Sequence, residues 1–162
     1  MTIPGVCFRQ ATLDEIYRLR FAALRPGQPV ERVHFAGDDA PWPTTMHFGA
    51  FSGQRNLACV TLLPGEWQGA PAYQLRGMAV EEAYRSQGLG CELLHLAERR
   101  VLEQTAIRLL WCNARVAALR FYERNGWRTV SDVFHIAGVG DHHKMIRQLD
   151  EFSDCRPAID GT

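Results

Sequence analysis

The chain has 162 residues, with Lys plus Arg and Asp plus Glu both at 18 and a hydrophobic share of 46%. That length and apolar content suit one domain whose core needs neither metal nor disulfide, and the zero formal charge leaves no overall basic footprint for nucleic acid. No apolar run approaches the ~18 residues of a membrane span, and Met1-Thr2-Ile3-Pro4-Gly5 lacks the charged and apolar regions of a secretory leader. These features predict a cytoplasmic protein with no membrane or nucleic-acid partner, a domain over residues 1–150 and a loosely ordered tail over 151–162.

Val6 to Gln10 reads as an opening strand. Thr12 and Glu15 then have capping-box spacing ahead of the stripe Ile16, Leu19 and Ala23, which predicts a helix ending before Pro26-Gly27. From there to about Thr45 the composition turns to Pro, Gly and Asp, as in Gly37-Asp38-Asp39-Ala40-Pro41-Trp42-Pro43. Phe35 and Trp42 argue for a folded flap rather than a solvated linker. Strands are expected over 47–51 and 57–63, joined by the hairpin composition of Ser52-Gly53-Gln54-Arg55-Asn56. A polar loop from Pro64 to Pro71 leads to a strand over 73–80.

A helix follows from near Gly88, with Leu93, Leu94, Ala97 and Val101 on one stripe and Glu92, Glu98, Arg99 and Glu103 available for solvent. Arg108 to Asn113 has the apolar run of a buried strand. Strand, helix and strand succeed one another with short connections, so the two strands are expected to be parallel and joined by a right-handed crossover. A helix over 116–123 closes at Asn125-Gly126, a left-handed stop. Trp127 to Ile136 and Lys144 to Leu149 finish as a hairpin around Gly138-Val139-Gly140-Asp141. The five cysteines are scattered and odd in number, without a C-x-x-C pair, so reduced thiols are expected. Cys7, Cys59 and Cys112 read as small core residues. Cys91 falls in the first turn of a helix, where the dipole favours a reactive thiolate.

The junction Arg85-Ser86-Gln87-Gly88-Leu89-Gly90 carries the most chemistry. The first turn of a helix leaves N–H groups without intrahelical acceptors at the positive end of the dipole, a site for a multi-oxygen anion. Gly88 and Gly90 have no Cβ, so a pyrophosphate can come close to the main chain. The chain holds no G-x-x-x-x-G-K-[ST], and Leu93 stands where G-x-G-x-x-G needs its third glycine. The anion is therefore expected to belong neither to a P-loop nucleotide nor to a dinucleotide.

In order along the chain, Leu75-Arg76-Gly77-Met78-Ala79-Val80, Arg85-x-x-Gly88-x-Gly90, Asn113-Ala114-Arg115 and Ala118-x-x-Phe121-Tyr122-Glu123-Arg124-Asn125-Gly126-Trp127 resemble the GNAT superfamily of N-acetyltransferases. Arg85 to Gly90 matches the Q/R-x-x-G-x-G/A signature for acetyl-coenzyme A, and Trp127 replaces the usual Phe of the last element. The likeness is strongest from about residue 70 to 149. It implies an α/β fold with a bent mixed sheet of six or seven strands, about four flanking helices and splayed central parallel strands. By matching position, Arg85, Ser86, Gln87, Gly88, Leu89 and Gly90 would hold the phosphates of acetyl-coenzyme A. Met78, Ala79 and Val80 would pair with its pantetheine arm, and Asn113 would hydrogen-bond it. No metal is implied.

The same resemblance makes Tyr122 the general acid for the leaving thiolate, where an amphipathic core tyrosine is the alternative. Glu81, Glu82 and His142 are candidates for the base; adjacent glutamates also occur as ordinary solvated loop residues, and His142 with His143 as surface structure. For the acceptor, Arg20, Arg25, His34, Asp38, Asp39 and His47 are candidates. Asp38 and Asp39 would draw a cationic amine and Arg25 a carboxylate, so the acceptor's charge stays open; Asp38-Asp39 also reads as a plain turn. The expected activity is acetyl transfer from acetyl-coenzyme A to a primary amine of a small molecule or peptide, in a possible homodimer. A non-catalytic acyl-coenzyme A sensor is the alternative, and a thiol enzyme using Cys91 or Cys112 lacks a neighbouring base by any recognisable spacing.

Overall fold

A computed structural model describes residues 3–24 and 34–149; Arg25, the helix exit at Pro26-Gly27 and the tail over 151–162 lie outside the described residues. Among those described are eight strands, β1 (Val6–Gln10), β2 (Met46–Ser52), β3 (Arg55–Trp67), β4 (Ala70–Val80), β5 (Leu109–Arg115), β6 (Arg128–Thr129), β7 (Phe134–Ile136) and β8 (Gly140–Gln148). Three α-helices accompany them, α1 (Leu13–Leu24), α2 (Leu89–Gln104) and α3 (Leu119–Arg124). One mixed sheet runs in the order β1-β2-β3-β4-β5-β8-β6, with β7 also on β8. The pair β4-β5 is parallel and every other pair is antiparallel.

This is the expected mixed α/β architecture with two adjustments. The sheet has eight strands instead of six or seven, because the segment after α3 touches β8 twice, once at 128–129 and again at 134–136. The described residues hold three helices instead of about four, since 82–84 and 116–118 close only as 3-10 turns.

Local signals account for most boundaries. The capping box forms, with Thr12 N–H donating to Glu15 Oε1 at 2.9 Å and Glu15 N–H to Thr12 Oγ1 at 3.3 Å. The expected loop from Pro64 to Pro71 is instead strand. Residues 64–67 pair with 70–73, and Gln68 (φ 50°) and Gly69 (φ 82°) make a two-residue turn with both residues left-handed. Pro64 is tolerated there because it lies beyond Leu62, the last β3 residue with a β2 partner.

The sheet buries both faces. Ala58, Val60 and Leu62 of β3 join the cluster that takes Leu93, Leu94, Ala97 and Val101 of α2. Cys59, one residue out of phase, packs on the opposite face with Ile16, Leu19 and Ala23 of α1. Two placements differ from the sequence reading. Cys7 is exposed, being on the edge strand β1, where the sheet covers one side only. Glu98 is buried rather than solvent-facing, because Trp127 Nε1 donates to its Oε1 at 3.2 Å and Arg147 lies 3.4 Å away. An indole N–H enclosed in the core requires an acceptor, and Glu98 supplies it.

Candidate functional site

The parallel strands β4 and β5 pair only at Tyr73↔Leu110 and Gln74↔Trp111. Beyond that point they part, and the gap is a cleft of about 750 Å³ including its open mouth. Its walls are residues 74–78 of β4 and 112–115 of β5, and Tyr122, Val139 and His142 close around it. One device reshapes the β4 wall. Cys59↔Ala79 is followed by Thr61↔Arg76, so two steps along β3 match three along β4, and Gly77 takes φ 67° at the extra residue. This bulge breaks the ladder beside the cleft, where Arg76 lies with its guanidinium 3.9 Å from the Phe35 ring centroid. A side chain at Gly77 would strike Arg20 Nε at 2.9 Å and Phe35 Cε2 at 3.2 Å.

At the far end of the β4 wall the chain passes through Ser86 (φ 62°) and Gly88 (φ 85°) into α2. The first helical bond runs from Glu92 N–H to the Gly88 carbonyl at 3.1 Å, so the N–H groups of Leu89, Gly90 and Cys91 have no intrahelical acceptor. Arg85, Arg124, Gly88 and Gly90 line a hollow at that terminus, and a second apolar hollow containing Met78, Val80 and Phe121 links it to the cleft. Arg85 is itself tied by its Nε–H to the Val80 carbonyl at 3.2 Å. A bare helix terminus, a left-handed glycine, two guanidinium side chains and an apolar trough ahead of them fit a pyrophosphate carrying a long, mostly apolar arm.

Tyr122 reaches the cleft from α3, whose end is built to hold it. Trp127 N–H donates to the Tyr122 carbonyl at 3.0 Å and Gly126 N–H to the Glu123 carbonyl at 3.1 Å. This is a Schellman stop with Gly126 at φ 87°. The apolar contact that accompanies such stops is Tyr122 against Trp127, with ring centroids 5.3 Å apart. Gly126 is doubly required, since a Cβ there would lie 2.8 Å from Arg147 Nη1. Burial, with the Cys112 thiol nearby, drives the Tyr122 hydroxyl well above the usual phenol range, so it keeps its proton.

Among the other residues singled out in the sequence, His142 and Asn113 line the cleft. His142 Nδ1 donates to the Gly140 carbonyl at 2.8 Å and its ring stacks on Phe134, which places a hydrogen on Nδ1. Asn113 Oδ1 accepts from Lys144 Nζ at 3.0 Å. Glu81 instead faces β3, where it forms a two-pronged pair with Arg55, and Glu82 is exposed in the 3-10 turn. Neither is among the residues that line the cleft.

The acceptor candidates from the first half are drawn into a polar network beneath the flap. Asp38 takes two bonds from Arg20, at 2.7 and 3.2 Å, and one from Phe35 N–H at 2.7 Å, with Arg20 and Asp38 side chains both at 0% exposure. Arg20 also donates to Thr61 Oγ1 at 2.6 Å. Thr61 Oγ1 stands 2.7 Å from His47 Nδ1, and His47 Nε2 stands 2.9 Å from the Asp38 carbonyl. A carbonyl only accepts, so Nε2 carries the hydrogen and Thr61 gives its own to Nδ1. Burial lowers the His47 pKa and keeps it neutral. His34 and Asp39 pair at 3.0 Å on the surface. Arg25 lies outside the described residues.

The thiols divide by burial. Cys59 and Cys112 are enclosed, and each has its pKa pushed up to about 12. Cys91 donates to Asn125 Oδ1 at 3.1 Å, and His95 stands one helical turn away with Nδ1 at 3.9 Å. Cys91 thus has a histidine neighbour that the i, i+4 spacing allows, although its hydrogen goes to Asn125. His142 and His143, adjacent on a strand, turn to opposite sides, and His143 Nδ1 bonds the Ser131 carbonyl. Among the described residues no three His, Cys, Asp or Glu gather as metal ligands, and no helix is long and apolar enough to cross a membrane. Sequence reading passed over Phe35, Gln74 and Ile136 as lining residues and gave Arg76 and Arg115 no site role. A charged Arg76 between Leu75 and Met78, in a strand otherwise suited to burial, was the available signal.

A family model described as "Acetyltransferase (GNAT) family" matches residues 12–127. The chain is 32% identical over 141 residues to the uncharacterized N-acetyltransferase YitI of Bacillus subtilis strain 168, covering 85% of this chain and 93% of that protein. In fold it is similar to an aminoglycoside 6'-N-acetyltransferase solved with coenzyme A (TM-score 0.70, 13% identity, 91% of this chain and 99% of that one). It is also similar to an acyl-CoA N-acyltransferase from Pseudomonas aeruginosa (TM-score 0.67, 20% identity, 88% and 99%).

Proposed function

The chain belongs to the GNAT acetyltransferase family, and from that premise we propose that it transfers an acetyl group from acetyl-coenzyme A directly to a primary amine of a small molecule or peptide. The observation that carries this reading is the single track from the α2 terminus through the Met78-Val80 trough into the fork of β4 and β5. Bound acetyl-coenzyme A would supply the activated acyl group. The N–H groups from Gln87 to Gly90, flanked by Arg85 and Arg124, hold its phosphates. Main-chain groups of Met78, Ala79 and Val80, freed by the splay, bond the pantetheine amides, and Asn113 offers its Nδ2 hydrogens from the facing strand.

Two side chains supply the proton chemistry. Tyr122 remains a phenol at neutral pH and, as general acid, would give its proton to the departing thiolate, recovering one from the newly acylated nitrogen. His142, locked through Nδ1, presents the Nε2 lone pair that takes a proton from the incoming ammonium. Main-chain N–H groups of the bulged segment around Met78 steady the carbonyl oxygen as charge builds on it. A thiol route fits less well, because Cys112 stays protonated at a pKa of about 12 and Cys91 lies at the phosphate end.

Coenzyme A release over a panel of amines, measured on the natural chain and on Tyr122→Phe, tests the proposal. The substitution should lower kcat at least tenfold while changing acetyl-coenzyme A affinity less than twofold. Cofactor binding without release on any amine would favour the sensor alternative, and an unchanged kcat would remove Tyr122 from the chemistry.

A further inference from the structure

Of the 18 Lys and Arg residues in the sequence, only Lys144 is a lysine, and the fold sets it beside the cleft. It lies on β8 directly opposite Asn113 of β5 and two residues along from His142, so the three side chains share one face of the sheet. Asn113 and His142 both line the cleft. The Lys144 ammonium donates to Asn113 Oδ1 at 3.0 Å and stands 4.8 Å from the Trp111 ring centroid and 5.3 Å from that of Phe134. Among the described residues it meets no carboxylate: its partners are one amide oxygen and two aromatic rings.

This contact decides which way the Asn113 amide points. An ammonium only donates, so the atom facing it is the oxygen, and the two Nδ2 hydrogens turn to the other side. Among the described residues no group accepts them. The ammonium is itself held in place. Trp67 backs Trp111, with ring centroids 5.5 Å apart, and Phe134 also stacks on His142. The main chain is pinned as well, since Lys144 N–H donates to Ser131 Oγ at 2.7 Å and Val130 N–H to the Lys144 carbonyl at 2.9 Å. A compact ammonium beside two rings directs one hydrogen at one oxygen, whereas the planar fork of a guanidinium demands more room.

Building on the transferase reading, we propose that Lys144 is a positioning residue of the cofactor site. It holds the Asn113 amide with its Nδ2 hydrogens toward the cleft, where they bond the pantetheine arm of coenzyme A. Lys144 acts through Asn113 and not on the cofactor directly. Without it the amide can turn and set its oxygen against the carbonyls of the arm, which replaces a hydrogen bond by an unpaired contact.

The test is calorimetric titration of coenzyme A, and of its nucleotide fragment lacking the pantetheine arm, into the natural chain and its variants. Lys144→Met should weaken coenzyme A about tenfold, the worth of roughly one hydrogen bond, and leave the fragment within about twofold. Lys144→Arg should restore part of the loss. Asn113→Ala should weaken coenzyme A at least as much as Lys144→Met, and the double replacement should bind no more weakly than Asn113→Ala alone, because the pair acts as a unit. Unchanged coenzyme A affinity in Lys144→Met, an equal loss on both ligands, or additive losses in the double replacement would overturn the proposal. Should Lys144→Met fail to fold, Lys144→Gln carries the same comparison with the same deciding outcomes. No binding of coenzyme A to the natural chain would instead refute the transferase reading beneath it, which an unaffected Lys144→Met would leave standing.

Discussion

Replacing Asp38 by Asn separates a structural role for this carboxylate from a substrate-binding one. Asp38 accepts three bonds, two from a guanidinium with 0% exposure and one from Phe35 N–H. If only hydrogen bonding mattered, Asn would retain an acceptor oxygen and lose about 1 kcal/mol. The charge decides otherwise, because removing one partner of a buried ion pair leaves the other uncompensated, at a cost of about 3–5 kcal/mol. For a chain of this size, a kcal/mol corresponds to roughly 2–4 °C, so Tm should fall by roughly 6–20 °C. Urea unfolding followed by circular dichroism measures it, and the double replacement Arg20→Met with Asp38→Leu should recover most of the loss. A loss below about 1 kcal/mol together with a raised KM for the amine would refute the structural role and return Asp38 to the acceptor site.

Gly90→Ala should leave the free protein as stable or up to about 1 kcal/mol more stable, since its Cβ meets Met78 and Phe121 at an ordinary 3.4 Å. Acetyl-coenzyme A binding should nonetheless weaken at least tenfold in calorimetry, and unchanged affinity would move the phosphates elsewhere. Trp127→Phe removes the indole donor from Glu98 and should cost about 1–3 kcal/mol by thermal melt; a neutral outcome would mean that Arg147 satisfies Glu98 alone. The Arg9 guanidinium and the Thr12 N–H hold Glu15 down to about 2 from 4.5. A depressed carboxyl stabilises the fold above its unfolded value and loses that contribution as pH falls from about 4.5 toward 2. Glu15→Gln should therefore flatten the acid limb of the stability curve and cost only a little at neutral pH, the pair being solvent-screened.

The sequence by itself determined whatever depends on neighbours a few residues apart. Thr12 with Glu15 placed the start of α1, Gly88 with Gly90 placed the turn into α2, and Asn125-Gly126 placed the stop after Tyr122, because caps and left-handed turns are closed by bonds spanning two to five residues. The parallel crossover from β4 to β5 followed from element order alone. The polar loop expected at Pro64 was misread, since turn residues and prolines also occur where a strand runs beyond its neighbour. Only the tertiary structure decided which charges are buried and which face the cleft. Asp38 meets Arg20 across 18 residues and Trp127 meets Glu98 across 29, and no local pattern announces such pairs. The same holds for Arg76. Its register is set by one extra residue in β4 measured against β3, and a register between two strands exists only once both are paired.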